Sequence, residues 1–169
     1  MNLVYDIDPS LKSKNINYGN KYSFLAAGMG AKSAITFGLL GGDCVFVTKL
    51  GHDTNGKKLL KHFTDCGIDT RYVSMESELQ TGLILTETGA SAPIYKCIEG
   101  AMSTLSIQDV EDGLSSYPDM FLLNFNFDEQ FSYNIAKMMQ QQNVKMTVNA
   151  SKDAASFPYE DFDNIEILV

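Results

Sequence analysis

The sequence predicts an α/β fold with a parallel sheet, helical crossovers and an antiparallel flap. The second half alternates: β-type apolar runs at Met120–Phe127, Val144–Val148 and Ile165–Val169 are separated by helix-like stretches. That order gives parallel strands joined by crossover helices. Two further β-type runs, Thr81–Glu87 and Pro93–Ile98, flank the turn Thr88–Ser91. They form a hairpin that is foreign to a crossover pattern. Residues 28 to 41 open on glycines and continue with Ala31, Ala34, Ile35, Gly38 and Leu39 on one helical stripe.

In chain order, Asn2–Ile7 reads as a short strand carrying Asp6. Residues 8 to 22 are polar and read as a loop or weak edge strand. The helix within 28–41 stops at Gly41-Gly42. Cys44–Leu50 is an apolar β-rich run expected to form one buried strand. After a turn over 51–56, residues 55 to 66 form an amphipathic helix with Leu59, Leu60 and Phe63 inward and Gly67 ending it. Val73 begins a short extended segment. Residues 105 to 113 form a helix capped by Ser106. Residues 128 to 142 form another, with Phe131, Ile135, Met138 and Met139 on its apolar stripe. A short helix is expected over Phe157–Asp163.

The chain has 169 residues, 44% hydrophobic and 11% aromatic, which suffices for a packed core and excludes intrinsic disorder. No apolar run reaches the roughly 18 residues of a bilayer span, so no membrane partner is expected. A formal charge of −8 argues against nucleic acid, since phosphate contacts need clustered cations. Lys57, Lys58, Lys61 and His62 follow helical spacing and read as a solvated face. Cys44, Cys66 and Cys97 are widely spaced with no CxxC pair, so neither a zinc site nor a disulfide framework is indicated. With no secretory signal visible at the start, a cytoplasmic setting is expected.

The informative feature is a series of motifs in fixed order. AAGMGAKSA is followed by FGLLGG, VFVTKLGHDTNGKKLL, CGIDTRYV, TGLILTETGASAPIY, EGAM, FLLNFN and VKMTVNAS. This series resembles the N-terminal half of the ribokinase-like (PfkB) sugar and nucleoside kinases, with GHDTNG followed by GIDT as its most specific part. The resemblance implies a ribokinase-like three-layer α/β/α core with a small β-lid, truncated after roughly half of the family's length. The lid would come from residues 11 to 25 and 81 to 98. It also implies transfer of the γ-phosphoryl group of ATP, with Mg2+, to a sugar or nucleoside hydroxyl by the full-length protein.

On the acceptor side the resemblance points to Asp6, Gly28, Gly30, Lys32, Met102 and Asn126 as substrate-binding positions. A carboxylate such as Asp6 can accept hydrogen bonds from two neighbouring hydroxyls. The residues alone also allow Asp6 as an N-cap or turn residue before Pro9. Glycines at 28 and 30 permit close backbone approach to a ligand. Four positions depart from the family pattern: Met29 stands for a Lys, Lys32 and Met102 each for an Asn, and Asn126 for a Glu. These changes alter the polar contacts by which such a site selects its substrate.

The family's GxGD segment, which supplies the anion hole and the catalytic Asp, is not present in these residues, and its NxxE segment, which helps position magnesium, is expected just after Val169. This chain alone is therefore expected to have no catalytic residue, to be inactive, and to bind neither ATP nor Mg2+ well. His52 and His62 read as surface residues. Two functions compete: the N-terminal part of a kinase, and a degenerate, non-catalytic ligand-binding or interaction module. An apolar strand at 165–169 without its usual neighbour would favour self-association or a partner that covers it.

Overall fold

The computed structural model describes residues 1–7, 19–89, 92–125, 128–150 and 156–168. The chain divides into two compact units, Met1–Leu105 and Ser106–Val169.

In the first unit, β1 (Asn2–Ile7) lies between β2 (Gly19–Leu25), antiparallel to it, and β7 (Leu83–Thr88), parallel to it. The hairpin partner β8 (Ile94–Ile98) completes a four-stranded sheet of order β2-β1-β7-β8. The expected hairpin is present. Of the two segments expected to form the lid, residues 19 to 25 and the hairpin share this sheet, while 11 to 18 lie outside the described residues. The first strand, expected over Asn2–Ile7, is present in this mixed sheet. From Asn2 to Asp6 its backbone has ladder partners on both sides.

The remaining strands of this unit form short parallel pairs. The run Cys44–Leu50, expected as one strand, is two: β3 (Cys44–Val45) pairs with β5 (Ile68–Asp69), and β4 (Thr48–Gly51) pairs with β6 (Val73–Glu76). The registers explain the break. Cys44 faces Ile68 but Thr48 faces Val73, so the partner side carries one extra residue. That residue is absorbed by a turn in which the Val73 N–H donates to the Thr70 carbonyl.

Two helices pack against these strands. Helix α1 (Met29–Leu39) buries Ala31 and Ala34, and α2 (Thr54–Asp65) buries Leu59 and Phe63. Together with Leu50, Cys66, Ile68 and Val73 they form one apolar core. Phe46 meets Phe63 edge to face at 5.2 Å. The lysine face of α2 is exposed, as its spacing implies.

The second unit is a three-stranded parallel sheet of order β11-β10-β9, with β9 Met120–Asn124, β10 Lys145–Asn149 and β11 Ile165–Leu168. Helix α3 (Ile107–Leu114) starts in a capping box between Ser106 and Asp109. Helix α4 (Glu129–Gln141) is capped by Asp128, whose carboxylate accepts from the Phe131 N–H at 3.0 Å. Its buried stripe is Ser132, Ile135, Ala136, Met138 and Met139, while Phe131 is half-buried. The helix expected over 157–163 is only a 3-10 turn at Tyr159–Asp161. Phe157 and Phe162 are instead buried and stacked at 5.4 Å, so ring packing and Pro158 shape this segment.

Phe63 is 2% exposed in the centre of the first core. Truncating a buried Phe typically costs about 3–5 kcal/mol. The expected outcome for Phe63→Ala is a loss of that size in the free energy of urea unfolding, with the slope unchanged.

Candidate functional site

The site begins where β2 ends. After Leu25 the chain turns through Ala26 and Ala27 to Gly28, whose φ of 93° lies in the region that favours glycine. Gly28 is the N-cap of α1, and no side chain caps it; the first turn carries no acidic residue. The leading amides of an uncapped helix are unpaired donors at the positive end of its dipole. The first intrahelical bond runs from the Lys32 N–H to the Gly28 carbonyl at 3.1 Å. Met29 and Lys32 are exposed on this turn, and Gly30 is half-buried within it.

Asn2 pairs with Leu25 across the β1–β2 ladder, three residues ahead of Gly28 in the chain. The buried Thr86 hydroxyl donates to its Oδ1 at 2.9 Å. That bond leaves the Asn2 amide NH2 as a donor, and it fixes the side chain. Sequence reading missed Asn2. The signal was its place at the start of a strand whose register leads to the glycine turn.

Asp6 pairs with Lys21 and Thr88 at the opposite end of β1 from the Asn2–Leu25 pair. Four residues of strand, about 13 Å, separate it from Asn2. Its Oδ1 accepts from the Thr88 hydroxyl at 3.2 Å. Met102 is half-buried in a 3-10 turn, Gly100–Thr104, that packs against β4. Asn126 lies outside the described residues. In the second unit, Asn149 Nδ2 donates to Asn124 Oδ1 at 3.1 Å where β9 and β10 end.

The GHDTNG motif has a structural task. Asp53 is the N-cap of α2 and its Oδ1 accepts from the Gly56 N–H at 2.7 Å. The same carboxylate accepts from the Thr81 N–H at 2.8 Å and the Thr81 hydroxyl at 2.9 Å. The Thr81 oxygen in turn accepts from the Gly51 N–H at 3.0 Å. A Cβ on Gly56 would collide with the Gly51 carbonyl and stand 2.8 Å from the Thr81 oxygen. Two motifs thirty residues apart, GHDTNG and TGLIL, thus close on each other. Partial burial pushes the Asp53 carboxyl up, but these hydrogen bonds outweigh it and hold the group below the usual carboxylate range.

Among the described residues no group of three or more His, Cys, Asp or Glu side chains can hold a metal ion. No helix is long and apolar enough to cross a membrane among them.

The family model for pfkB carbohydrate kinases matches residues 1–116. The chain belongs to this family. It is 33% identical over 99 residues to a ribokinase of Dictyostelium discoideum, a stretch covering 57% of this chain and 30% of that protein. It is 30% identical over 94 residues to an aminoimidazole riboside kinase of Salmonella typhimurium, covering 54% and 30%. The structure of Arabidopsis thaliana ribokinase complexed with ribose and ATP superposes with a TM-score of 0.79 at 24% identity, covering 99% of this chain and 55% of that one. The fold is thus ribokinase-like, and the chain spans about half the length of that kinase. The pfkB match includes both the glycine turn and the Asp53–Thr81 closure.

Because Asp53 is held ionised, its contribution is complete above the ordinary carboxylate pKa of about 4 and lost as pH falls through its lower folded value. Asp53→Ala is expected to destabilise the protein by about 1 kcal/mol near neutrality. The gap in urea midpoint between variant and wild type should close below about pH 4. A gap that persists unchanged at pH 3 would contradict the carboxylate's role.

Proposed function

We propose that residues 1–169 form the acceptor-holding part of an ATP-dependent kinase acting on a hydroxyl of a sugar or nucleoside. The observation that carries this reading is the uncapped α1 turn at Gly28–Gly30 beside the fixed Asn2 amide, in a chain of the pfkB family. Sugar hydroxyls both donate and accept, and helix-leading amides supply donors at fixed positions. The Asn2 amide adds a donor whose direction Thr86 sets. Lys32 stands at the rim as an exposed cation.

In this reading the chain's residues bind and orient the acceptor. Phosphoryl transfer depends on positioning, charge neutralisation and a base. The base and the anion hole would be supplied by the family's GxGD segment, which is not among these residues. A second reading, a non-catalytic ligand-binding module, is favoured by Met29 and Lys32 standing exposed on the turn where the family places other polar groups.

The test is a titration of the isotope-labelled chain with ribose, followed by NMR. Amides of Met29–Lys32 and Asn2 are expected to shift, and Asn2→Ala to weaken binding about tenfold, the effect of losing one hydrogen bond of roughly 1.4 kcal/mol. Absence of shifts at these residues would overturn the reading. Residues 1–169 alone are expected to show no ATP-dependent phosphorylation of ribose or adenosine. Turnover at about 1–100 s⁻¹, the range usual for kinases, would show that these residues supply a base and an anion site of their own.

A further inference from the structure

The sheet of the second unit is wound in one direction. Its parallel strands lie side by side in chain order, β9, β10, β11. Right-handed crossovers between strands in that order put both connections on one face. The rings agree with this: Phe157 and Phe162, from the β10–β11 connection, meet Tyr133 of α4, the β9–β10 connection, at 6.2 and 5.5 Å. Leu123, Met146 and Val148 are buried on that covered face. Alternation and register turn Met120, Leu122, Thr147 and Ile167 to the other face. There Met120, Leu122 and Ile167 are 46%, 42% and 51% exposed. Parallel sheets are ordinarily covered by helices on both faces.

Charge is as one-sided as the winding. Ser106–Val169 hold three Lys or Arg against eleven Asp or Glu, a net charge of −8, whereas Met1–Leu105 hold ten of each. The excess reaches the open face. Asp119 and Asp163 are exposed just before β9 and β11, and Glu166 lies within β11. Lys145, at the start of β10, is the cation among them, and it pairs with Glu166 at 2.9 Å. The opposite ends of β9 and β10 are neutral, closed by the Asn124–Asn149 amide pair. The apolar strip therefore has an acidic rim along one end only.

We propose that this face docks an amphipathic helix of another polypeptide, with an aliphatic stripe over Met120, Leu122 and Ile167 and Lys or Arg along the flank beside Asp119, Asp163 and Glu166. A second copy of this chain fits less well, because pairing through this face brings together two units of like charge. The inference does not rest on the acceptor-holding reading of the first unit.

The labelled full chain is titrated with a helical peptide bearing leucines on one stripe and lysines on its flanks, and with the same peptide bearing glutamate for lysine. The lysine peptide is expected to shift the amides of Met120, Leu122, Thr147 and Ile167 and to bind about tenfold more tightly than the glutamate peptide. Leu122→Lys, at an exposed position, should abolish those shifts, and Ile167→Lys should do the same if Leu122→Lys fails to fold. Asp119→Lys should narrow the gap between the two peptides. Equal affinities for the peptides, no shift with either, or shifts that leave out Met120, Leu122 and Ile167 would overturn the site. A dimer in sedimentation that Leu122→Lys dissociates would also overturn it, by making a second copy the occupant.

Discussion

The first unit depends on one carboxylate. Asp53 caps α2 and at the same time holds the backbone and the hydroxyl of Thr81. Thr81 leads directly into β7, the strand beside β1. The bond between them therefore ties the helix-bearing part of the unit to its four-stranded sheet. The tie is close enough that Gly56 cannot carry a side chain without displacing the Gly51 carbonyl. Overpacking of this kind costs about 1–3 kcal/mol, comparable to the cap itself. The spacing of Asp53 and Gly56 follows from this geometry: an N-cap aspartate reaches the N–H three residues on, and that residue must be small because Gly51 and Thr81 already fill the space.

Much of the fold was legible in the sequence because its signals are local. The stripes of α2 and α4, the caps Ser106 and Asp128, and the hairpin around residues 88–91 each follow from residues close in sequence. What was not legible depends on partners far away. The split between β3 and β4 comes from an extra residue on the opposite strand, near Thr70, which nothing in CVFVTKL itself reports. The place of β1 was missed for the same reason. A six-residue strand does not say which neighbours it takes, and the choice of β2 and β7 is made by residues twelve and more positions on.

That choice also decided the candidate site. The helix expected after the glycines is present, and Gly28 opens it with a positive φ. What the motif order does not report is the ladder: Asn2 pairs with Leu25 and Asp6 with Lys21, so the two polar residues of β1 stand four residues apart along it. Thr86, buried and bonded to Asn2, was invisible as a site residue because its partner is eighty-four positions away.

The placement of β1 is strongly specified. It is hydrogen-bonded on both sides, antiparallel to β2 and parallel to β7, so its register is set twice. A slip of one residue would turn Asn2, Val4 and Asp6 to the other face. That face carries Phe24 opposite Leu3, and Tyr22 packed edge-on against Phe24 at 5.7 Å, all largely apolar and solvent-facing. A slip would thus bring Asp6 among aromatic rings and expose Leu3 beside Thr86 and Thr88, losing both the Asn2–Thr86 and Asp6–Thr88 bonds. The face with Asn2 and Asp6 carries the bonds Asn2–Thr86 and Asp6–Thr88, while the face with Leu3 carries Phe24 and Tyr22. The register of β1, set by both neighbours, keeps these two sets of contacts apart.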